Sequence, residues 1–418
     1  MVPLEPWQKV FIKLVGRQKS YADIDEAHAL IGCATCHGGK EPADFATAHD
    51  TENFGFVRDP SANAEANCNP CHSEIVATNS NSMHSKLWGE QTAIVRRELG
   101  ADKDHTSFNG LPVELTEGFD RECMSCHTTC GQCHVSRPNS AAGGFIENHK
   151  FKKTPDQTNN CLACHGSRIA TDFEGHLVGN QPDIHSTMYM KCLDCHQEDM
   201  HADASGSATR YHLTDLPNCQ DCHDYFFTPN TYHQMHWPGD GEGLACFVCH
   251  SQPYRNCNSC HTKDPSGDLS EWWQTDYAES HDEIDVHIGA GDYKEYPGFK
   301  IGYNYDQDLH DGEFIVVRHI PVVRDGYSPW GHDQLAKYDE RPTWEYSSPH
   351  NIQRFTVQTD TAGGGYCFKN CHAVGDSAQV NLERYLWQRD VEEDYPDEIE
   401  ANKSVVVDEK LPSSWQKP

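Results

Sequence analysis

All 20 cysteines of this 418-residue chain fall in ten pairs, and a histidine follows each pair at once. Nine pairs have the spacing C-x-x-C-H: Cys33/Cys36/His37, Cys68/Cys71/His72, Cys123/Cys126/His127, Cys130/Cys133/His134, Cys161/Cys164/His165, Cys192/Cys195/His196, Cys219/Cys222/His223, Cys246/Cys249/His250 and Cys257/Cys260/His261. The tenth, Cys367/Cys371/His372, carries one extra spacer residue. C-x-x-C-H is the attachment signature of c-type haem, in which each thiol forms a thioether to a porphyrin vinyl group and the histidine ligates the iron. No thiol is left over for a disulfide or a nucleophile. Zinc ribbons also use C-x-x-C pairs, but zinc does not require a histidine directly after the second cysteine every time. The spacing calls for ten covalently bound haem c groups.

Their placement argues for a row. Cys123–His127 and Cys130–His134 are separated by two residues, too little chain for a fold between them, so two porphyrins must lie face to face or edge to edge. From Cys123 to Cys257 the motifs start 7, 31, 31, 27, 27 and 11 residues apart, a near-constant step that suggests an array of haem-plus-loop units touching chiefly their neighbours. With a mean hydropathy of -0.74, 37% hydrophobic residues, 31 Gly and 22 Pro, the chain is poorly equipped to offset its ordering entropy with an apolar core. The expected fold is mostly irregular, with short α-helices wrapped round a row of haems that serve as the core. Four segments result: 1–32 with an amphipathic helix, 33–261 as a nine-haem array, 262–366 as a cysteine-free insertion with β-strands, and 367–418 as the tenth site with a C-terminal helix and acidic tail.

Local patterns fill in this frame. Trp7, Val10, Phe11, Leu14 and Val15 recur at helical spacing. Gly38-Gly39 permits a sharp turn beside the first motif, and residues 86–99 read as a helix near Gly89. In the insertion, Glu313–Arg318 and His319–Arg324 read as strands, among aromatics that include Trp272, Trp273, Trp330 and Trp344. The insertion is expected to cover the haem row or meet another subunit; a substrate pocket is the alternative. Asn381–Glu393 reads as a helix. The apolar Ser404–Asp408 is either a frayed end or a strand lent to a neighbour.

Histidine supplies the second axial ligand. Of 27 histidines, seventeen remain once the motif residues are set aside, against only 7 Met. The distal candidates are His49, His84, His149, His185, His201, His212, His233, His236, His319 and His350, with His28, His176, His281 and His287 in reserve. Imidazole on both faces closes the coordination sphere and leaves low-potential iron that rearranges little on reduction.

A net charge of -31 argues against nucleic acid or anionic lipid as a partner and suits multivalent cations or a basic redox protein. No run of 18 apolar residues exists to span a membrane, and the N-terminus lacks a secretory apolar region. Attachment of c-type haem takes place outside the cytoplasmic membrane, so export is expected, with the signal absent from the sequence shown.

The chain resembles the multihaem c-type cytochromes of microbes that perform extracellular electron transfer. The likeness rests on Cys33-Ala34-Thr35-Cys36-His37-Gly38-Gly39, Arg58-Asp59-Pro60-Ser61, Cys130-Gly131-Gln132-Cys133-His134-Val135-Ser136-Arg137-Pro138, Cys161-Leu162-Ala163-Cys164-His165-Gly166-Ser167-Arg168 and Pro349-His350-Asn351. The resemblance implies bis-histidine haems, little regular secondary structure and a place at the cell surface, with a periplasmic location as the alternative. Some members polymerise into haem filaments, and others are surface reductases. The expected function is electron conduction along ten haems, to other redox proteins, to copies of the same chain, or to an extracellular acceptor such as a metal oxide. The alternative is a terminal oxidoreductase of the tetrathionate, nitrite or metal-reducing type with one open-face haem. Nitrite-reducing types commonly carry C-x-x-C-K, which this chain lacks.

Overall fold

A computed structural model of the chain describes residues 28–411, except 29–30, 32, 41–43, 49, 125–127, 148, 177–178, 198, 214, 224–230, 237–242, 254–299, 307–309, 321–323, 325, 360–370, 372–383 and 395–397. The expected N-terminal amphipathic helix and the whole ninth motif, Cys257/Cys260/His261, fall outside the described residues. The rest is short helices plus one small antiparallel sheet, and no described helix is long and apolar enough to cross a membrane. The chain divides into two compact units: Met1–Lys86, Ser125–Gly166 and Met200–Asp203 form the first, and the remainder forms the second.

In the first unit the apolar interior is scant. Its described buried apolar residues are Val76 and Val135. Polar contacts tie the short elements together instead. Ser61 Oγ accepts from Gly131 N at 2.8 Å, Thr129 Oγ1 donates to Asp59 Oδ2 at 3.0 Å, and Asn160 Nδ2 donates to the carbonyls of Gln132 and Ser136. Beside the first motif, Gly38 (φ +64) and Gly39 (φ +77) make the expected turn. A Cβ on Gly38 would lie 2.5 Å from the carbonyl oxygen of Gly55, so no side chain fits.

The second unit corrects the idea that haem alone can form the core. Strands β1 (Lys300–Tyr303), β2 (Phe314–His319) and β3 (Trp344–Tyr346) make an antiparallel sheet in the order β1-β2-β3. Ile315, Val316 and Val317 in β2 are all buried, so both faces of the sheet are covered, as an unbroken apolar run requires. Against it pack Ala245 and Val248, Tyr385–Trp387 and Val405–Val407. A separate cluster joins Ile94 and Val95 of helix Trp88–Leu99, Leu115 and Phe119 of helix Val113–Glu122, and Trp330, Leu335 and Tyr338. Gly118 is required there, because a Cβ would meet the Trp330 ring at 2.2 Å.

The helix expected at 86–99 is present as Trp88–Leu99. It starts after Leu87, held at φ +53, and ends at Gly100. The C-terminal helix begins only at Gln388, because Tyr385 is already committed to a bridge with Ile301. Strand β2 ends at His319, and Ile320 N donates to Thr343 O; residues 321–323 of the second expected strand, His319–Arg324, lie outside the described residues. Ser404–Asp408 is neither frayed nor lent: Val405 O accepts from Tyr303 N, Val407 N donates to Leu386 O, and all three valines are buried. Of the evenly stepped motifs, the one at Cys161 belongs to the first unit and the one at Cys192 to the second.

Candidate metal centres

Each fully described motif is one helical turn. His72 N donates to Cys68 O at 2.9 Å, His196 N to Cys192 O at 2.9 Å and His223 N to Cys219 O at 2.8 Å. Residues i, i+3 and i+4 of a turn share a face, so both sulfurs and the imidazole project to the same side. This is the physical reason for the two-residue spacer and the histidine placed directly after it.

Not every expected attachment residue can be placed. Cys126 and His127 of the third motif, Cys257, Cys260 and His261 of the ninth, and Cys367 and His372 of the tenth lie outside the described residues, as does the side chain of Cys33. The fifteen cysteines whose side chains are described include the second sulfurs of three motifs that stand in quite different surroundings. Cys71 is exposed in the first turn of helix Asn69–Asn79, where its N donates to Cys68 O at 3.1 Å. Cys249 is half-buried in helix Cys246–His250, and its carbonyl accepts from Thr356 Oγ1 at 2.5 Å. Cys371, also half-buried, has its carbonyl 3.4 Å from the Tyr385 hydroxyl, which ties the tenth motif to the core around the sheet.

Opposite every described motif histidine stands a second histidine ring. Centroids are 6.1 Å apart for His28 and His72, 6.0 Å for His37 and His149, and 6.3 Å for His84 and His165. They are 6.1 Å apart for His134 and His201, 5.9 Å for His185 and His223, 6.3 Å for His196 and His350, and 6.2 Å for His233 and His250. Two imidazoles bound through nitrogen on opposite sides of one metal ion, about 2 Å each plus roughly 1 Å to the ring centre, put their centroids about 6 Å apart. Three pairs are near parallel, at 22°, 24° and 16°, and four are crossed, at 84°, 80°, 60° and 67°. The first unit holds four pairs and the second holds three, and no pair is divided between them.

The rings are oriented from behind. Nδ1 of His37 faces Val57 O at 2.8 Å, that of His134 faces Lys152 O at 2.6 Å, and that of His250 faces Gln353 O at 3.2 Å. Among distal rings, Nδ1 of His350 faces Ser348 O at 2.8 Å and that of His185 faces Asp183 Oδ1 at 2.9 Å. Acceptors at Nδ1 place the proton there and leave the Nε2 lone pair for a metal. Burial pushes His149, His201 and His250 below the usual imidazole range, with their partners His37, His134 and His233 adding repulsion. Burial pushes His350 down to about 4. These rings are therefore neutral, the ligating form. The Asp183 hydrogen bond moves His185 the other way, upward.

Thiols of different motifs act on one another electrostatically. Burial pushes the Cys68 thiol up to about 11, with Cys130 and Cys36 adding to the shift. Burial likewise raises Cys133, with Cys130 and Cys164 contributing, and Cys195, with Cys222 contributing. A hydrogen bond from Cys246 draws the Cys219 thiol down to about 6 and pushes that of Cys246 up. No disulfide joins the fifteen described cysteines.

Six of the ten distal candidates, His84, His149, His185, His201, His233 and His350, stand on these pairs. His28, held in reserve, is the partner of His72 and stacks on Phe151 at 4.1 Å. Its only sequence signal is its position just before the first motif. His212 and His236 are described: His212 Nε2 lies 3.8 Å from Asp306 Oδ2, and the carbonyl of His236 accepts from Leu244 N. His49, His281 and His287 lie outside the described residues, and His176 bonds Glu174 Oε2 at 2.8 Å. His319 is a correction. It is 0% exposed, its Nε2 meets Glu398 Oε2 at 3.2 Å and its ring packs on Trp344. A ring that serves a porphyrin must border a porphyrin-sized space, whereas His319 is sealed in the core by the strand that carries it.

The donor set fits a porphyrin iron. Among the described residues no three His, Cys, Asp or Glu side chains converge. Imidazoles meet two at a time, the number of positions a porphyrin leaves to the protein, whereas structural zinc needs four protein donors. No known family model, curated protein or solved structure matches the chain.

Proposed function

We propose that this protein is an electron-transfer cytochrome carrying ten c-type haems, most of them closed on both faces by histidine, and that it works outside the cytoplasmic membrane. The observation that carries this reading is the second imidazole about 6 Å from each of the seven described motif histidines. When bound, haem c supplies a one-electron iron couple. The motif sulfurs would hold the ring edge covalently. The paired imidazoles would occupy both axial positions, which leaves no site for substrate and little rearrangement on reduction. Carbonyls behind Nδ1 would keep each ring in one tautomer and one orientation.

Proximity of thiols supports two runs of neighbouring sites. In the first unit, the motifs at Cys33, Cys68, Cys130 and Cys161 follow one another through Cys36/Cys68, Cys68/Cys130 and Cys133/Cys164. In the second, the motifs at Cys192, Cys219 and Cys246 follow through Cys195/Cys222 and Cys219/Cys246. In the attached state those sulfurs would be thioethers and would no longer titrate; holding neighbouring haems by sulfurs of adjacent motifs would favour electron hopping between them. The charge of -31 suits a basic redox partner or a cationic acceptor.

Pyridine-haemochrome analysis of the exported protein, alongside metal analysis, is the test. Ten haems per chain are expected. One or two haems, or zinc in place of iron, would end the reading. The ferric EPR spectrum should also contain two low-spin classes. Parallel imidazoles both raise the same iron d-orbital, and crossed ones cancel in that respect, so the near-parallel and crossed pairs must differ in g-anisotropy. A dominant high-spin signal would favour the open-face oxidoreductase.

A further inference from the structure

Asp183 is buried, 2% exposed, in the second unit, two residues before His185. Its Oδ1 accepts from His185 N at 2.8 Å and faces His185 Nδ1 at 2.9 Å. Its Oδ2 accepts from Ile352 N at 2.6 Å. Ile184 N returns a bond to Ile352 O at 2.8 Å. The two short segments thus form one hydrogen-bonded clamp, with Asp183 supplying one side of it. One segment carries His185, which faces His223; the other carries His350, two residues before Ile352, which faces His196. These two sites are also neighbours through Cys195 and Cys222.

We infer that Asp183 is a shared positioning residue that sets the reduction potentials of two adjacent haems, those at His223/His185 and His196/His350, together. The inference rests on the haem reading above. Two physical effects act in the same direction. A buried anion near an iron favours the ferric state, which carries one more positive charge, and is little screened at low dielectric. A carboxylate at Nδ1 also makes His185 a stronger donor, the second-shell lever known from carboxylate–histidine–metal arrangements. His185 receives both effects; His350 receives the charge and the clamp, while its own Nδ1 faces Ser348 O. Of the five Nδ1 contacts described above, that of His185 alone is to a side-chain carboxylate.

The experiment is a redox titration followed by EPR on the exported protein and on Asp183→Asn. The wild type must first show its haem count and low-spin signals; absence of haem would defeat the underlying reading and this inference with it, whereas the Asp183 variants below decide the inference alone. Asp183→Asn should raise two transitions, one from a near-parallel and one from a crossed pair, each by a tenfold or larger change in its one-electron equilibrium, about 59 mV per tenfold. The other transitions should stay in place. Movement of one transition alone would overturn the shared role, and movement of none would overturn any role. If Asp183→Asn loads fewer haems, Asp183→Glu is titrated instead. Its longer arm disturbs the Ile352 bond while keeping the charge, so both transitions must shift, and a single shifting transition overturns the proposal.

Discussion

Asn351 offers a direct test of how the insertion serves the sites in the second unit. It is fully buried. Its Nδ2 donates to Gln252 O at 2.8 Å and to Pro253 O at 3.0 Å, and its Oδ1 accepts from Gln252 N at 3.2 Å. On either side of it, His350 faces His196, and Gln353 O receives Nδ1 of His250. Asn351→Ala deletes three side-chain hydrogen bonds. Gln252 N keeps the Asn351 carbonyl as an acceptor, Gln252 Nε2 keeps it too, and Pro253 O keeps Asn180 Nδ2 as a donor, so the main loss falls on the buried Gln252 carbonyl. At about 1 kcal/mol per bond the change should cost about 3 kcal/mol. In guanidinium, with slopes of about 2–6 kcal/mol/M, that lowers the unfolding midpoint of this unit by roughly 0.5–1.5 M. Followed through the Soret band, the variant should also show a high-spin fraction of at most two haems in ten. A midpoint within about 0.2 M of wild type, with an unchanged EPR spectrum, would show that the segment is held by other contacts and would refute the reasoning.

Gly118→Ala should destabilise the second unit by about 1–3 kcal/mol through overpacking against Trp330, and Trp330→Leu in the same chain should recover part of that loss in the guanidinium midpoint. Asp104 caps the short helix at His105–Gly110, where bonds from Thr106 hold its carboxyl below the usual range. Asp104→Ala should therefore cost about 1 kcal/mol at neutral pH. A carboxyl depressed in the folded state stabilises above its unfolded pKa and ceases to as pH falls, so the gap in thermal midpoint from wild type should close below about pH 4. Val407→Asp places a charge in the core beside β1 and should cost several kcal/mol, releasing the C-terminal tail to proteolysis at a rate the wild type does not show.

The strand at Phe314–Val317 and the helix at Trp88–Leu99 were legible because their signals are local: an apolar run, and an amphipathic stretch ended by Gly100. The two apolar clusters were not, because composition averaged over 418 residues conceals that, among the described residues, nearly all the buried apolar side chains belong to one unit. The distal histidines fall between these cases. A surplus of histidine points to paired imidazoles, and six of ten candidates stand opposite a motif ring. Yet His28 and His319 exchange standing, and nothing in their immediate neighbours distinguishes them. His28 lies five residues before a motif, in a unit with few described buried apolar residues. His319 follows an apolar strand whose burial takes the ring into the core with it.

Motif spacing by itself determined how many thiol–thiol–imidazole sets the chain carries and which imidazole stands beside each, since such a face is built within a single helical turn. Only the tertiary structure decided which second ring completes each described pair, which carbonyl or carboxylate stands behind it, and which unit holds it. Those partners come from segments as distant as His196 and His350. Chain packing brings them together by closing long loops, a result to which local residue periodicity contributes nothing.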